Sequence, residues 1–451
     1  MRALAACLAL LGGVAGADDP VRLRVDRTTT HQTWEAWSCV PNPVGFENAF
    51  VAWLRAPTAE TYDRVGMNHA LPKNLISRMH DALVKDMGIT RVRIEVGPQV
   101  EQTNDNDDPF RADAKAFRFA WQDDQVERHL LPLKERIEAA GDRMVVYVSY
   151  DLRSKLTPAF LLEPEEYAEM AVVFLAHIRE RYGIEPDYWS VLNEPGNDRP
   201  GDPRTCAELT AAAGRRIADA GFRTRMSGPE CVNVAQADRY LKAMAESPAS
   251  LEHFRQITYH LYHGSAQNAA ARRAVRDWAR KLNITAAQTE WMEGTGLDVA
   301  RHILLCLTEA DAVAWDRFGA DGFFTFPYRV WLDPKSDAMP LSLNATAHHI
   351  RQFSRYIRPG AVRVGLEGGS ESVRGVAFLP KDKETPVVVL LNTADRKAAA
   401  EIDGLPEGAY GGSFTSEPEK AYGREIPALR VTKSGRLAIA LPPRSVTTLT
   451  P

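Results

Sequence analysis

Apolar and polar residues alternate with two different periodicities along the chain. Between residues 33 and 326, short runs rich in β-branched and aromatic residues alternate with longer stretches whose apolar residues recur at helical spacing. This alternation predicts parallel strands connected by helices, and eight repeats predict an α/β fold, a (β/α)8 TIM barrel. The strand candidates are 33–40, 89–97, 144–150, 188–193, 224–228, 256–262, 285–289 and 322–326, and the helical candidates include 75–87, 125–140, 164–182, 206–220 and 235–245.

Helical periodicity stops near Arg358. Beyond it, short strands are punctuated by turn residues such as Gly368-Gly369 and Ser434-Gly435, which indicates an appended β-sandwich. One strand, 21–25, precedes the barrel, and because a single strand is not stable alone we expect it to join that sandwich. The predicted domains are an N-terminal strand of the sandwich at 18–30, the barrel at 31–357 and the C-terminal β-sandwich at 358–451.

The first 17 residues have the pattern of a secretory signal peptide. Arg2 precedes an apolar run, 3–14, which is too short to span a bilayer, and small residues lead to a cleavage position after Ala17. We therefore expect a secreted protein, extracellular or periplasmic. Cys7 within Leu4-Ala5-Ala6-Cys7 leaves a lipoprotein anchor as the alternative.

Composition narrows the classes of partner. With 45% hydrophobic and 25% charged residues, the chain is an ordinary soluble globular protein. Its net charge of −4 and pI near 6.3 argue against nucleic acid as the main partner, and no later segment is apolar enough for stable membrane insertion. The sequence gives no indication of the oligomeric state. Four cysteines remain after cleavage, either as buried thiols or with one disulfide, and their spacing fits no zinc site: Cys39, Cys206, Cys231 and Cys306.

Two glutamates follow predicted barrel strands. Glu194 comes after the fourth strand and Glu290 after the seventh, at the end of the strands where barrel enzymes carry their chemistry. Barrel closure brings strand ends together, so a separation of nearly a hundred residues is no obstacle. Glycoside cleavage requires a pair of carboxyl groups. One protonates the leaving oxygen, and in a retaining enzyme the other attacks the anomeric carbon. The alternative is that each glutamate is a solvated loop residue.

Other hydrolytic chemistries find less support. His348 and His349 are adjacent on a predicted helix, which is a poor arrangement for binding one metal ion. No Gly-x-Ser-x-Gly sequence is present, so a serine hydrolase is not expected.

Several motifs occur in a fixed order along the predicted strands. They are Arg93 on the second strand, Asn193-Glu194-Pro195 after the fourth, His260 and Tyr262 on the sixth, and Thr289-Glu290-Trp291 after the seventh. This ordered set resembles the clan A glycoside hydrolases. Segment 353–364 is similar to the helix and exit strand that join barrel to sandwich in glycoside hydrolase family 30, so the resemblance narrows to that family.

The resemblance implies a retaining β-glycosidase that acts by double displacement without metal or cofactor. Glu194 would be the acid/base and Glu290 the nucleophile. Arg93 and Tyr262 would hold Glu290, and Asn193 would bind the sugar 2-OH. The substrate would be a polysaccharide, oligosaccharide or glycolipid with, for example, β-glucosidic or β-xylosidic linkages.

Several positions keep two interpretations. His260 could contact the acid/base or substrate, or could pack in the barrel. Arg91 and Glu95 share a strand face with Arg93, which suits a buried ion network below the site. Tryptophans near predicted strand ends could stack on a sugar or belong to the core; these are Trp37, Trp291 and Trp331.

The chain also departs from the family. Where members carry a Gly-Phe-Gly-Gly segment on the first strand, residues 32–38 read Gln-Thr-Trp-Glu-Ala-Trp-Ser. The sugar subsite there must differ, so the identity of the sugar stays open. A clan A hydrolase of another family and a carbohydrate-binding barrel without catalysis remain the alternatives.

Overall fold

The computed structural model describes residues 19–41, 73–97, 100–151, 157–197, 200–325 and 340–451. The expected signal peptide, Cys7 and Trp331 lie outside these ranges. The chain forms two compact units. The larger comprises Ala36–Glu293 and Glu309–Ser342, and the smaller comprises residues up to Glu35, Gly294–Thr308 and Leu343–Pro451.

The strands, numbered along the chain, are β1 (Val21–Thr33), β2 (Ala36–Cys39), β3 (Arg91–Val96), β4 (Val145–Tyr150), β5 (Tyr188–Ser190), β6 (Arg225–Cys231), β7 (Phe254–His260), β8 (Thr285–Glu290), β9 (Ala312–Arg317), β10 (Phe324–Thr325), β11 (Ser342–Leu343), β12 (Val362–Gly368), β13 (Val373–Leu379), β14 (Val387–Asn392), β15 (Ala398–Asp403), β16 (Gly408–Ser416), β17 (Ala421–Val431), β18 (Leu437–Leu441) and β19 (Ser445–Thr450). The helices are α1 (Lys73–Lys85), α2 (Ala120–Gln125), α3 (Leu131–Ala139), α4 (Pro164–Tyr182), α5 (Pro203–Asp219), α6 (Ala237–Glu246), α7 (Pro248–Glu252), α8 (Ala269–Leu282), α9 (Gly296–Glu309) and α10 (Ala345–Ser354).

Strands β2 to β9 close into a barrel of eight parallel strands. This confirms the predicted TIM barrel. The sequence of β4, Val-Val-Tyr-Val-Ser-Tyr, shows why the strands are nearly continuous apolar runs, because every one of its residues is buried. One face of a barrel strand packs against the side chains inside the barrel, and the other packs against the surrounding helices, so neither face meets water.

The eighth barrel strand is β9, and its prediction at 322–326 was wrong. The aromatic run Phe323-Phe324 has high strand propensity, but β9 has the sequence Ala-Val-Ala-Trp-Asp-Arg and starts directly after a helix. β9 pairs in parallel with β8 on one side and β2 on the other, which closes the barrel. Packing between two neighbours therefore outweighed the weak intrinsic preference of alanine for strands.

Local signals set the ends of the helices around the barrel. α4 has Pro164 at its start and ends at Gly183, whose left-handed φ of 66° lets its N–H donate to Arg179 O. α5 begins after Asp202, whose carboxylate accepts from the Thr205 N–H at 2.9 Å. These signals fix where one helix ends and where the next begins.

The smaller unit contains a nine-stranded sheet in the order β17-β16-β19-β14-β13-β12-β1-β15-β18. β1 lies inside it, antiparallel to β12 and parallel to β15, and its Leu23 and Val25 join the hydrophobic cluster of the C-terminal strands. This confirms the prediction that the N-terminal strand completes the β-sandwich, and it supplies the pairing partners that a lone strand lacks.

The four cysteines are buried thiols rather than disulfides, which decides between the two alternatives left by the sequence. Among the helices that the structure describes, none is long and apolar enough to cross a membrane.

Candidate active site

Glu194 and Glu290 meet at one end of the barrel. Glu290 is the last residue of β8, and Glu194 follows the end of β5 by four residues. Each is 6% exposed, and one carboxylate oxygen of Glu194 lies within 4.8 Å of one of Glu290. Two carboxylates this close, at the carboxyl ends of parallel strands, make a pair that can act on a single bond.

The backbone at Glu194 adopts an uncommon conformation. Its φ is 49°, in the left-handed region that non-glycine residues rarely occupy. The Glu194 N–H donates to Glu230 O at 3.1 Å, and the Asn193 N–H donates to Tyr150 O at 2.7 Å, so the neighbouring strands hold this conformation. Such strain costs about 1–3 kcal/mol and tends to cluster at functional sites.

Glu290 is surrounded by groups that favour its anion. Arg93 Nη1 lies 2.6 Å from Glu290 Oε2, and the Tyr262 hydroxyl donates to Oε1 at 2.9 Å. Arg93 is fully buried, and burial would lower its pKa, but Glu290, Glu230 and Glu95 raise that pKa well above its usual value. The guanidinium is therefore a fixed positive charge beside Glu290.

Glu194 has a different environment. His260 Nδ1 lies 3.0 Å from Glu194 Oε1, and Asn197 Nδ2 donates to Oε2 at 3.2 Å. Burial would lower the pKa of His260, but Glu290, Glu194 and Glu230 together raise it to about 9. At neutral pH His260 is consequently an imidazolium that holds a proton within hydrogen-bond distance of Glu194.

The positive charge of His260 also affects metal binding at this site. Glu194, His260 and Glu290 offer three potential ligand atoms within 4.8 Å of one another. A protonated imidazole has no lone pair for a metal, and Arg93 already lies against Glu290. This group suits proton transfer better than metal coordination.

Asn193 is oriented from both sides. Its Oδ1 accepts from Arg93 Nη2 at 3.2 Å, and its Nδ2 donates to Asp151 Oδ1 at 3.4 Å. The amide has a second N–H to offer a ligand, and Asn193 itself is 4% exposed.

Glu230 is a buried carboxyl group of the candidate site that sequence reasoning missed. It lies fully buried near the end of β6, where Ser149 Oγ donates to it at 2.9 Å and Ser190 Oγ also donates. Arg93 Nη1 is 3.5 Å away and His260 Nε2 is 3.4 Å away. Burial opposes its charge, but these two cations lower its pKa. Glu230 thus links the cations that contact Glu290 and Glu194.

Asp316 on β9 is a second missed carboxyl group. It is 1% exposed, Ser38 Oγ donates to its Oδ2 at 2.6 Å, and Oδ1 has no hydrogen-bond partner among the described residues. Burial raises its pKa to about 7, against the opposing effect of Arg93. Glu230 followed a correctly predicted strand and could have been found by the strand-end rule, whereas Asp316 was hidden by the misplaced eighth strand.

The remaining predicted residues lie either in the hydrogen-bond network of the barrel interior or in the hydrophobic core. Trp37 is 1% exposed and packs against Trp315 with ring centroids 6.5 Å apart, as the core alternative predicts. Trp291 follows Glu290 directly and is 2% exposed. Arg91 donates to Gln256 Oε1 at 2.9 Å, one layer below Arg93 on the same strand face.

The C-terminal part of the chain has a recognisable sequence family. Residues 360–449 match the model of the glycosyl hydrolase family 30 β-sandwich domain. No curated protein matches the chain.

Solved structures resemble the whole chain. A family 30 xylanase C catalytic domain from Talaromyces cellulolyticus has a TM-score of 0.67 at 18% identity, covering 95% of this chain and 99% of its own. A family 30 endoxylanase from Clostridium papyrosolvens has 0.66 at 14%, covering 95% and 99%. An endo-β-1,6-glucanase has 0.62 at 14%, covering 96% and 95%. The resemblance to family 30 is therefore confirmed in the C-terminal domain and in the fold.

Proposed function

We propose that this chain, whose C-terminal domain matches the glycosyl hydrolase family 30 β-sandwich model and whose fold resembles that of family 30 xylanases, is a retaining β-glycoside hydrolase. The observation that supports retention is the spacing of the two glutamates, with oxygens within 4.8 Å. Retaining enzymes place their carboxyl groups about 5–5.5 Å apart, whereas inverting enzymes need about 6.5–9.5 Å to admit a water molecule.

In the first step Glu290 attacks the anomeric carbon and the bond to the leaving oxygen breaks. Arg93 and Tyr262 hold the attacking carboxylate by their contacts at 2.6 and 2.9 Å, so it is positioned before substrate arrives. Glu194 gives a proton to the leaving oxygen. The His260 imidazolium, 3.0 Å from Glu194 Oε1, keeps its own proton and stabilises the carboxylate that forms on Glu194.

In the second step a water molecule attacks the glycosyl ester on Glu290. Glu194, now a carboxylate, accepts a proton from that water, and the sugar leaves with its original anomeric configuration. Asn193 donates to the sugar 2-OH through the amide N–H that Asp151 does not use, a contact that strengthens as positive charge develops on the ring.

The similar structures support a proposal about the substrate class. Two of the similar structures are xylanases and one is a β-1,6-glucanase, so we infer a β-xylosidic or β-glucosidic polysaccharide or oligosaccharide. We also infer export with cleavage after Ala17, which N-terminal sequencing of protein recovered from the native host tests directly.

The test of the mechanism uses aryl β-glycosides together with xylan and β-glucan oligomers. We expect the wild type to cleave at least one substrate and the first-formed product to keep the β configuration by NMR. Glu290→Gln should lose activity, and azide should rescue Glu194→Ala with formation of a β-glycosyl azide. Glu293→Gln changes an exposed glutamate three residues beyond Glu290 and should keep full activity.

Inversion of configuration would refute the assignment of Glu290 as nucleophile. Binding of oligosaccharides by a folded wild type that cleaves none of them would favour the carbohydrate-binding barrel instead.

A further inference from the structure

A second group of carboxylates lies outside the glutamate pair. Glu101 follows β3, and Glu166 and Glu169 occupy the first two turns of α4, the helix that follows β4. One oxygen from each of the three lies within 4.8 Å of the others. β3 and β4 are neighbouring parallel strands, so the cluster joins two adjacent loops at the carboxyl end of the barrel.

These carboxylates are buried with few hydrogen-bond donors: the Asp105 N–H donates to Glu101 Oε1 at 3.4 Å, and Asn104 Nδ2 donates to Glu166 Oε1 at 3.5 Å. Glu169 is 1% exposed, and neither of its oxygens has a partner among the described residues; Glu101 is 0% exposed, and its Oε2 has none. Glu166 Oε2, Asn104 Oδ1 and Asp105 Oδ1 are likewise buried and without donors in the described part of the chain. Leaving buried carboxylates in this state costs several kcal/mol, so the cluster must bind protons or a cation.

Basic side chains do not meet this need. Among the described residues, no lysine, arginine or histidine lies within ion-pair distance of Glu101, Glu166 or Glu169. Arg216, the nearest basic group by its electrostatic effect, instead pairs with Glu165 at 3.5 Å and donates to Pro109 O at 2.9 Å.

The electrostatic consequence is mutual. Three carboxylates with oxygens within 4.8 Å of one another repel each other whenever more than one of them is ionised. Each carboxylate therefore makes the next one harder to ionise, which is the condition that a bound divalent cation would relieve.

We propose that Glu101, Glu166 and Glu169 bind a calcium ion between their carboxylate groups. All the atoms that these three side chains offer are oxygens, which suits a hard cation and not zinc. Ca²⁺ accepts about six to eight oxygen ligands in flexible geometry, whereas Mg²⁺ usually keeps several waters and takes only one or two carboxylates, so a site with three carboxylates favours Ca²⁺. The surrounding sequence, Asn104-Asp105-Asn106-Asp107-Asp108, adds negative charge.

The ion would connect the segment after β3 to the start of α4. Its role is structural, because no residue of this cluster contacts Glu194 or Glu290 in the described structure. The proposal is thus independent of the glycosidase mechanism and stands or falls on metal binding alone.

The experiment measures calcium directly. The intact protein is stripped with EDTA and desalted, and CaCl2 is added back at constant ionic strength and pH. We expect one calcium per chain by plasma mass spectrometry, and a thermal midpoint that rises by about 5–10 °C at a hundredfold excess over Kd. MgCl2 at the same concentration should give less than half of that rise.

Matched variants locate the ion. Glu169→Gln should abolish calcium uptake, and in EDTA its midpoint should equal or exceed that of the wild type because one buried negative charge is gone. Glu163→Gln changes an exposed glutamate just before α4 and should bind calcium like the wild type. A wild type that takes up no calcium would overturn the proposal and leave a protonated carboxyl cluster. Unchanged uptake by Glu169→Gln would also overturn it, since the ion would then bind elsewhere.

Discussion

Asp316→Asn should stabilise the folded protein in alkaline solution. The carboxyl group of Asp316 is 1% exposed, accepts one hydrogen bond from Ser38, and has a second oxygen with no donor in the described structure. Asparagine has nearly the same shape and presents its amide oxygen to Ser38 without a charge. The substitution therefore removes the cost of ionising a buried group and keeps the contact that holds it.

The sign and size follow from the raised pKa. The pKa of Asp316 rises from the ordinary 3.8 to about 7 on folding. The folded protein thus keeps a proton that the unfolded chain releases, so stability is full below about pH 4 and falls as the pH rises through 7. One pH unit corresponds to about 1.4 kcal/mol, which sets an upper limit of about 4 kcal/mol; we expect about 2–4 kcal/mol.

Urea denaturation at pH 4.5 and pH 8 measures the effect. The gain in unfolding free energy from Asp316→Asn should be about 2–4 kcal/mol greater at pH 8 than at pH 4.5. Asp403→Asn is the control of opposite sign, because the hydrogen bond from Arg436 lowers the pKa of Asp403 and its loss costs stability at pH 8. A loss of stability in Asp316→Asn at pH 8 would show that the ionised carboxylate is well paired, and the reasoning would be wrong.

Three further outcomes are expected. Tyr262→Phe removes the donor to Glu290 and should lower kcat/KM about 10- to 150-fold, as for loss of a hydrogen bond to a charged group, with the melting midpoint as control. Arg93→Met leaves buried carboxylates without their cation, so it should lower the free energy of unfolding by about 3–5 kcal/mol and remove nearly all turnover. Arg91→Met, two residues earlier on the same strand face, should keep its turnover as long as it is folded. Equal kinetic losses in the two variants would contradict this. His260→Gln should destabilise the protein clearly at pH 7 but little at pH 10. The raised pKa of His260 stabilises the folded state fully below pH 6.5, and this stabilisation is lost as the pH rises through 9. Equal losses of stability at both pH values would contradict this.

The sequence was sufficient for the features that follow strict periodic rules. Both glutamates were found because barrel strands end at a common face, so position along a strand predicts position in space. The pairing of β1 with the C-terminal strands followed from the instability of a lone strand. These arguments need only the pattern of apolar residues and the closure of the barrel.

What the sequence could not supply depends on competition between segments. Ala312–Arg317 became the eighth barrel strand despite its alanines, and Asp316 was missed with it. The cluster of Glu101 with Glu166 was not predicted for another reason, because the metal-site signatures that a sequence displays are histidine and cysteine at short spacings. Carboxylates some 65 positions apart meet only when two loops are folded side by side.

The buried thiols give the folded state a chemical advantage. Burial raises the pKa of Cys39, Cys206 and Cys231, which suppresses the thiolates that oxidants attack, and Cys306 is 1% exposed. If the protein is exported as proposed, any molecule that opens in an oxidising compartment becomes vulnerable to crosslinking and cannot readily return. Its working lifetime there would then be limited by how often it opens, and the rate at which a thiol reagent labels the native protein would count those openings.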